Sequence, residues 1–289
     1  MRKTLFSGIA ACLLATAATA AEQSPSVIWT VGQADRSASE FALAPDRFRD
    51  FLANDFGYED KYFLVGHSVP AADFPYVLPG PADTWGGTWP TSGWRTHQIN
   101  ILFGLKEIPS DGTCTLVVDL LDYAKNFLPL VKVSVNTQDA KFQLDAPGLS
   151  VADQRKPNQM EKIVDTLSIT GNLAKATPRR LEIPIRPGVL KAGGNEVTIT
   201  VLEGSWILFD RVSLEGPAGT NVEQPQQLFI RNIEAAPYEL ADGKRRVQPL
   251  LVDLEWLEGA PALSVELDDK EILNQRIETG RYQLEAPMP

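Results

Sequence analysis

Histidine, cysteine and basic residues are scarce in this sequence, and each shortage argues against a class of function. Two histidines and two cysteines occur in 289 residues, which supplies few nitrogen and sulfur ligands for a transition-metal site. The formal net charge is −10, so the chain lacks the basic surface that nucleic acids and anionic membranes require. Beyond residue 20, no run is apolar enough to span a bilayer about 30 Å thick. We therefore expect no nucleic-acid partner and no membrane partner.

The first twenty residues have the pattern of a secretory signal peptide. Arg2 and Lys3 precede a short apolar run over residues 5–18, and a small-x-small motif ends at Ala20, after which we expect cleavage. Lipidation at Cys12 is the alternative, but the apolar run continues beyond this cysteine. Cleavage removes Cys12, so Cys114 has no internal disulfide partner, and we interpret it as a small buried hydrophobe.

An exported chain without disulfides indicates a Gram-negative periplasm, or secretion from such a cell, more than a eukaryotic secretory route. Removing the two basic residues of the leader changes the formal charge from −10 to −12. This charge disfavours broad binding to acidic polysaccharides unless a local basic cluster overrides it.

Residues 25–216 read as one all-β domain, because short strand-like runs alternate with turn residues. Helical spacing over residues 45–56 predicts a short surface helix, and the polar segment 150–166 predicts a long loop. The predicted strands are residues 26–31, 61–65, 97–103, 114–120, 130–135, 180–185, 195–202 and 206–214, with a tight turn at 136–139.

Residues 217–227 are rich in Pro, Gly and Gln and predict a linker. Strand patterns resume at residues 228–233, 247–256, 262–267 and 275–284. An immunoglobulin-like sandwich needs about 100 residues, whereas 62 remain. We therefore expect residues 228–289 to be a partial immunoglobulin-like domain, and the sequence to be truncated or the front of a longer protein.

An aromatic segment at residues 73–94 is the strongest local signal. Trp85, Trp89 and Trp94 fall within ten residues, among several glycines and prolines. Indole faces stack on the apolar faces of sugar rings, and nearby polar groups can bind sugar hydroxyls. The predicted ligand-binding residues are Trp85, Trp89, Trp94, Asp73, Asp83, Arg95, Glu40 and Tyr76. The alternative is that the tryptophans plug the end of the core.

Other chemistry has weaker support. Ser68 and His67 could serve a hydrolase, but no G-x-S-x-G motif is present, and we expect structural roles for both histidines. The acidic residues Asp35, Glu40, Asp73 and Asp83 fall in or near the same candidate surface, but the sequence gives no separation between them, so they do not predict glycoside hydrolysis. No phosphate-binding glycine loop is present. We expect no catalytic residue and no cofactor, with a structural calcium at Asp119 and Asp122 as the open alternative.

Four segments in order resemble a known family. They are Trp29-Thr30-Val31-Gly32 with Asp35 and Glu40-Phe41, then residues 63–68 with Asp73-Phe74, then residues 190–199, then residues 209–215. Together they resemble the third domain of rhamnogalacturonan lyases. The resemblance implies a galactose-binding-like jelly roll over about residues 27–216. The predicted signal peptide directly precedes these residues, so we expect no lyase domain before them and no counterpart of the lyase catalytic residues in this chain.

Residues 73–85 and 230–238 resemble the N-terminal, non-catalytic part of large bacterial glycosidases similar to α-mannosidases. The leading hypothesis is a carbohydrate-binding module of a polysaccharide-degrading enzyme, with a glycan and a downstream catalytic domain as its partners. A purely structural β domain is the first alternative. The second is a fragment of a polysaccharide lyase or of an α-mannosidase-like glycosidase.

Overall fold

A computed structural model describes residues 26–44, 62–83, 98–108, 113–145, 167–225, 227–243, 245–259 and 262–288. Nearly all regular structure in these ranges is β, with one short helix, α1 at Pro70–Asp73, and 3-10 turns at Leu167–Thr170 and Leu173–Lys175. The strands are β1 Ser26–Gly32, β2 Tyr62–Leu64, β3 Val77–Leu78, β4 Gln98–Leu105, β5 Cys114–Tyr123, β6 Leu130–Val135, β7 Gln138–Gln143, β8 Arg179–Ile185, β9 Gly193–Glu203, β10 Ile207–Gly216, β11 Val222–Glu223, β12 Leu228–Ala235, β13 Leu240–Asp242, β14 Arg245–Val247, β15 Pro249–Trp256, β16 Ala262–Leu267, β17 Lys270–Arg276 and β18 Gly280–Pro287.

Strands β1 to β11 form two sheets. The first has the order β1-β10-β5-β8, with β3 beside β10, and the second has the order β11-β4-β9-β6-β7, with β2 beside β4. The pairs are antiparallel, except that β2 runs parallel to β4. The predicted all-β sandwich is thereby confirmed.

One large hydrophobic core lies between the two sheets. Strand β6 shows why the sheets pack: Val131, Val133 and Val135 are buried, while Lys132 and Ser134 between them face outward. This period of two places every second side chain on the core face. The central strand β5 is buried along almost its whole length, which explains its nearly continuous apolar sequence.

Residues 228–288 form a smaller unit. Its main sheet has the order β12-β15-β18, and β13 pairs with β14 and β16 with β17. Val252, Leu254, Trp256 and Ile277 make its core. The immunoglobulin-like class predicted for this unit stays a prediction.

Most predicted strands occur, with shifted ends, and three features differ. Strand β7 occupies part of the predicted 136–139 turn and continues beyond it. Strand β11 lies inside the predicted linker and pairs with β4. The strand predicted at 275–284 is divided between β17 and β18. The helix predicted at 45–56 and the loop predicted at 150–166 lie outside the described residues.

Candidate functional site

The described part of the aromatic segment ends at Asp83, and the described chain resumes at Gln98, where β4 begins. Residues 84–97 lie outside the described residues, and with them Trp85, Trp89, Trp94 and Arg95. The structure therefore describes the base of this segment, which consists of residues 80–83 and 203–206.

Asp83 fixes this base. It is 7% exposed, its Oδ2 accepts a hydrogen bond from the Gly80 amide at 2.7 Å, and its Oδ1 accepts one from the Ser205 hydroxyl. The Ala82 amide donates to the Gly204 carbonyl at 2.8 Å. The carboxylate that the sequence assigned to a sugar hydroxyl is instead bonded inside the protein.

Two glycines allow the backbone segments of the base to pack directly on one another. A Cβ on Gly80 would lie 2.5 Å from the Gly204 carbonyl oxygen, and a Cβ on Gly204 would overlap the backbone of Leu128. Gly204 also has a φ of 81°, a conformation that glycine adopts without strain. The 203–206 turn is thus held between residues 80–83 and residues 127–128, which makes a rigid attachment for the aromatic segment.

Tyr76, the residue before β3, is completely buried. Its hydroxyl donates to the Ile169 carbonyl at 2.8 Å, and burial raises its pKa well above the usual value. The sequence predicted Tyr76 as a ligand contact, but the structure gives its side chain no exposed surface. Its position suits packing and the internal hydrogen bond.

Asp73 and Glu40 keep some access to solvent. Asp73 is exposed, and its Oδ2 accepts a hydrogen bond from the Val69 amide at 2.7 Å across α1. Glu40 is half-buried, and its Oε1 accepts a hydrogen bond from the Gln33 amide at 2.8 Å, just after β1. Each carboxylate therefore closes a local turn of the backbone.

Phe127 is an exposed aromatic residue that the sequence prediction did not include. Its side chain is 51% exposed, and its carbonyl accepts a hydrogen bond from the Ser205 amide at 2.9 Å. It therefore lies beside the 203–206 turn, next to the base of the aromatic segment. No sequence signal marks it, because its place depends on a contact 78 residues along the chain.

Asp122 and Lys125 form a buried ion pair near the same end of the sandwich, 2.7 Å apart. Burial alone would raise the pKa of Asp122, but hydrogen bonds from Lys125, Ser168 and the Thr177 amide outweigh it and hold this pKa below its usual value. Burial lowers the pKa of Lys125. Its ammonium also lies 3.4 Å from the Tyr123 ring centroid.

The carboxylate oxygens of Asp119 and Asp122, the two residues considered as calcium ligands, are paired with basic side chains. Arg211 and Arg180 bind Asp119, and Lys125 binds Asp122. No group of three or more metal-ligating side chains occurs within the described ranges. None of the helices that the structure describes is long and apolar enough to cross a membrane.

The remaining predicted residues have ordinary surroundings. His67 is exposed, while the Ser68 hydroxyl accepts a hydrogen bond from the Leu64 amide at 2.9 Å. His97 lies outside the described residues. Cys114 is buried, and burial raises its pKa, so its thiol stays protonated at neutral pH.

Two solved structures show limited similarity to this chain. A GH115 4-O-methyl-α-glucuronidase, BtGH115A, with specificity for decorated arabinogalactans, is 18% identical, with 40% of this chain and 13% of that chain covered at a TM-score of 0.24. A GH2 β-galacturonidase from Eisenbergiella tayi, bound to galacturonate, is 10% identical, with 66% and 29% covered at a TM-score of 0.19. The chain thus spans less than a third of either protein. No curated protein matches it significantly.

The family comparison covers most of the sandwich. Residues 27–214 match the family described as CBM-like, polysaccharide lyase family 4, domain III, and these residues extend from β1 through β10. The match covers well over half of the chain and agrees with the order of the four sequence segments. This chain therefore belongs to the family of carbohydrate-binding-module-like third domains of polysaccharide lyase family 4.

Proposed function

We propose that this chain is the non-catalytic carbohydrate-binding module of an exported polysaccharide-degrading enzyme, and that it holds glycan through residues 84–97. The observation that carries the proposal is the base of this segment. Asp83, Gly80 and Gly204 fasten its N-terminal side to the sandwich by buried, satisfied contacts. A fixed attachment point lowers the entropy that ordering the segment on a glycan would cost.

In this proposal the indoles of Trp85, Trp89 and Trp94 stack on sugar rings. Stacking contacts of this kind contribute about 0.5–1.5 kcal/mol each beyond the burial of area. The guanidinium of Arg95 donates hydrogen bonds to sugar hydroxyls, and the carboxylate of Asp73 accepts hydrogen bonds from them. Glu40 is the third polar contact. Asp83 supports the base from inside, and Tyr76 is part of the buried core.

The charge of the chain favours a neutral glycan. The formal charge of −10 repels polyuronides at long range, and this repulsion is screened only beyond a Debye length of about 8 Å at physiological salt. Export to the periplasm or beyond belongs to the same proposal, because polymeric substrates are met outside the cytoplasm.

Tryptophan fluorescence of the full chain, titrated with neutral and acidic polysaccharides, tests this proposal. We expect a saturable shift with a neutral glycan, and a loss of affinity of about 2- to 13-fold in Trp85→Ala and in Trp89→Ala, since each removes a stacking contact. Trp256→Phe is the matched control, because Trp256 lies buried in the C-terminal unit.

A folded protein whose fluorescence responds to none of these glycans would refute the binding function and leave a structural spacer. Equal affinities for the wild type and both loop variants would place any binding away from residues 84–97.

A further inference from the structure

The outer face of the second sheet carries an ordered row of polar side chains. Ile99, Ile101, Val197 and Ile199 point into the core, so Gln98, Asn100, Thr198 and Thr200 point outward. The Thr198 hydroxyl and the Gln98 amide donate to Asn100 Oδ1 at 3.1 and 3.3 Å. These bonds hold the amides and hydroxyls in fixed orientations.

The C-terminal unit docks on this same face and builds a second wall beside the row. Arg231 of β12 donates to Glu196 Oε1 of β9 and to Glu255 Oε1 of β15, at 3.0 Å in both cases. Lys191 Nζ donates to Asn232 Oδ1 at 3.3 Å. The contact is an ion-paired junction between the two units.

Apolar packing and a glycine complete this junction. Phe229 and Leu257 pack with Leu64 and Leu102 of the second sheet. A Cβ on Gly194 would overlap the Ile230 carbonyl oxygen, so the absence of a side chain there lets β12 approach β9 closely. The second wall is therefore fixed in position.

Of this row, Thr198 lines a cleft of about 490 Å³ between the second sheet and the C-terminal unit, a volume within the range of about 300–1,000 Å³ found for ligand sites. Its floor includes Leu102 and Phe229. Its polar lining includes Ser134, Thr198, Glu196, Asn232, Glu234 and Asp253. Clefts at the junction of two structural units are common positions for small-ligand sites.

We propose that this cleft is a second saccharide site, specific for neutral sugars and separate from residues 84–97. Hydroxyl, amide and carboxylate groups pair with sugar hydroxyls, which both donate and accept hydrogen bonds. Arg231 is paired with Glu196 and Glu255, and Arg281 is paired with Asp253, which leaves Lys191 and Glu234 as charges of opposite sign in the lining. The lining therefore has no excess of positive charge that would favour uronic acids or other anions over neutral sugars.

The lining also argues against a bound metal ion, since the described residues include no cluster of three metal-ligating side chains. No exposed aromatic ring lines the cleft, so hydrogen bonds rather than stacking provide its affinity. The site would therefore bind short oligosaccharides more weakly than a stacking platform does.

Amide chemical-shift mapping of the full chain tests the second site. The probes are β-galactan, arabinan, mannan and xylan oligosaccharides, with oligogalacturonide as the acidic comparison. We expect saturable shifts in β9, β6 and β12 with at least one neutral probe. We expect Thr198→Val and Glu234→Ala each to weaken binding by about 3- to 10-fold.

Matched controls separate this site from folding effects and from the aromatic segment. Thr115→Val lies on β5 of the other sheet, and Glu266→Ala lies on β16 of the C-terminal unit, so both should bind like the wild type. Trp85→Ala should leave the shifts in the cleft unchanged.

Three results would overturn the second site. The first is no shift in the cleft with any neutral probe, and the second is equal or tighter binding of oligogalacturonide. The third is loss of the cleft shifts in Trp85→Ala, which would assign all binding to the aromatic segment. The proposed function survives each of them, because its own test depends on residues 84–97.

Discussion

Replacing Arg231 with methionine should destabilise the docking of the C-terminal unit strongly. The Arg231 side chain is 6% exposed and that of Glu255 is fully buried, with 3.0 Å between the paired atoms. Methionine keeps most of the buried apolar volume but leaves Glu255 without its cation. Breaking a buried ion pair in this way costs about 3–5 kcal/mol, and we expect a loss of this size in the free energy of unfolding at pH 7.

The pH dependence of this loss gives a further check. Burial raises the pKa of Glu255, and the charge of Arg231 opposes that rise. Without Arg231 the pKa moves higher still, so a lower pH protonates the carboxyl and removes the unpaired charge. The destabilisation should therefore be largest at neutral pH and become smaller as the pH falls toward 5.

Urea denaturation of the full chain, followed by circular dichroism and by tryptophan fluorescence, measures both quantities. Arg246→Met is the matched control, because Arg246 is 82% exposed in a surface ion pair with Glu239 and should cost at most about 1 kcal/mol. A loss below 1 kcal/mol in Arg231→Met, or a loss that grows as the pH falls, would show that the buried pair of Arg231 and Glu255 does not hold the C-terminal unit in place.

Two further variants test other parts of the fold. Burial raises the pKa of Asp210 to about 6, so ionisation of this carboxyl opposes folding as the pH rises through 6. Asp210→Asn should therefore stabilise the protein by about 1–3 kcal/mol at pH 8 and by almost nothing at pH 4. Thermal melts that show equal gains at both pH values would contradict this. Gly194→Ala should lower the melting temperature, because its Cβ overlaps the Ile230 carbonyl and such overpacking costs about 1–3 kcal/mol; an unchanged melting temperature would show that β12 can move away freely.

The sequence predicted most of the strands because their apolar residues alternate, as β6 and β9 illustrate. It did not predict β7, whose residues Gln138–Gln143 are largely polar. This strand forms because Asn136, at a φ of 48°, turns the chain back so that β7 pairs with β6. It likewise assigned Val222 and Glu223 to a linker, although both pair with β4. Pairing of this kind depends on a partner strand rather than on the segment itself.

The base of the aromatic segment could be predicted only in part. The sequence located residues 73–94 as a distinct segment, but it assigned Asp83 and Tyr76 to ligand contact. Their partners, Ser205 and Ile169, lie 122 and 93 residues away, and no local pattern reveals such distant hydrogen bonds. The junction at Arg231 could not be predicted for the same reason. A single arginine in a strand does not identify the two carboxylates with which it forms ion pairs.

Acrylamide quenching of tryptophan fluorescence, with and without a saturating neutral glycan, is the decisive measurement for glycan binding by residues 84–97. If the indoles of residues 84–97 bind sugar as proposed, quenching of the free protein should be strong and bound glycan should protect clearly, with the protection lost in a Trp85→Ala, Trp89→Ala double variant. Indoles that are already shielded in the free protein, or quenching that the glycan does not change, would contradict the claim that this segment is a sugar-binding surface.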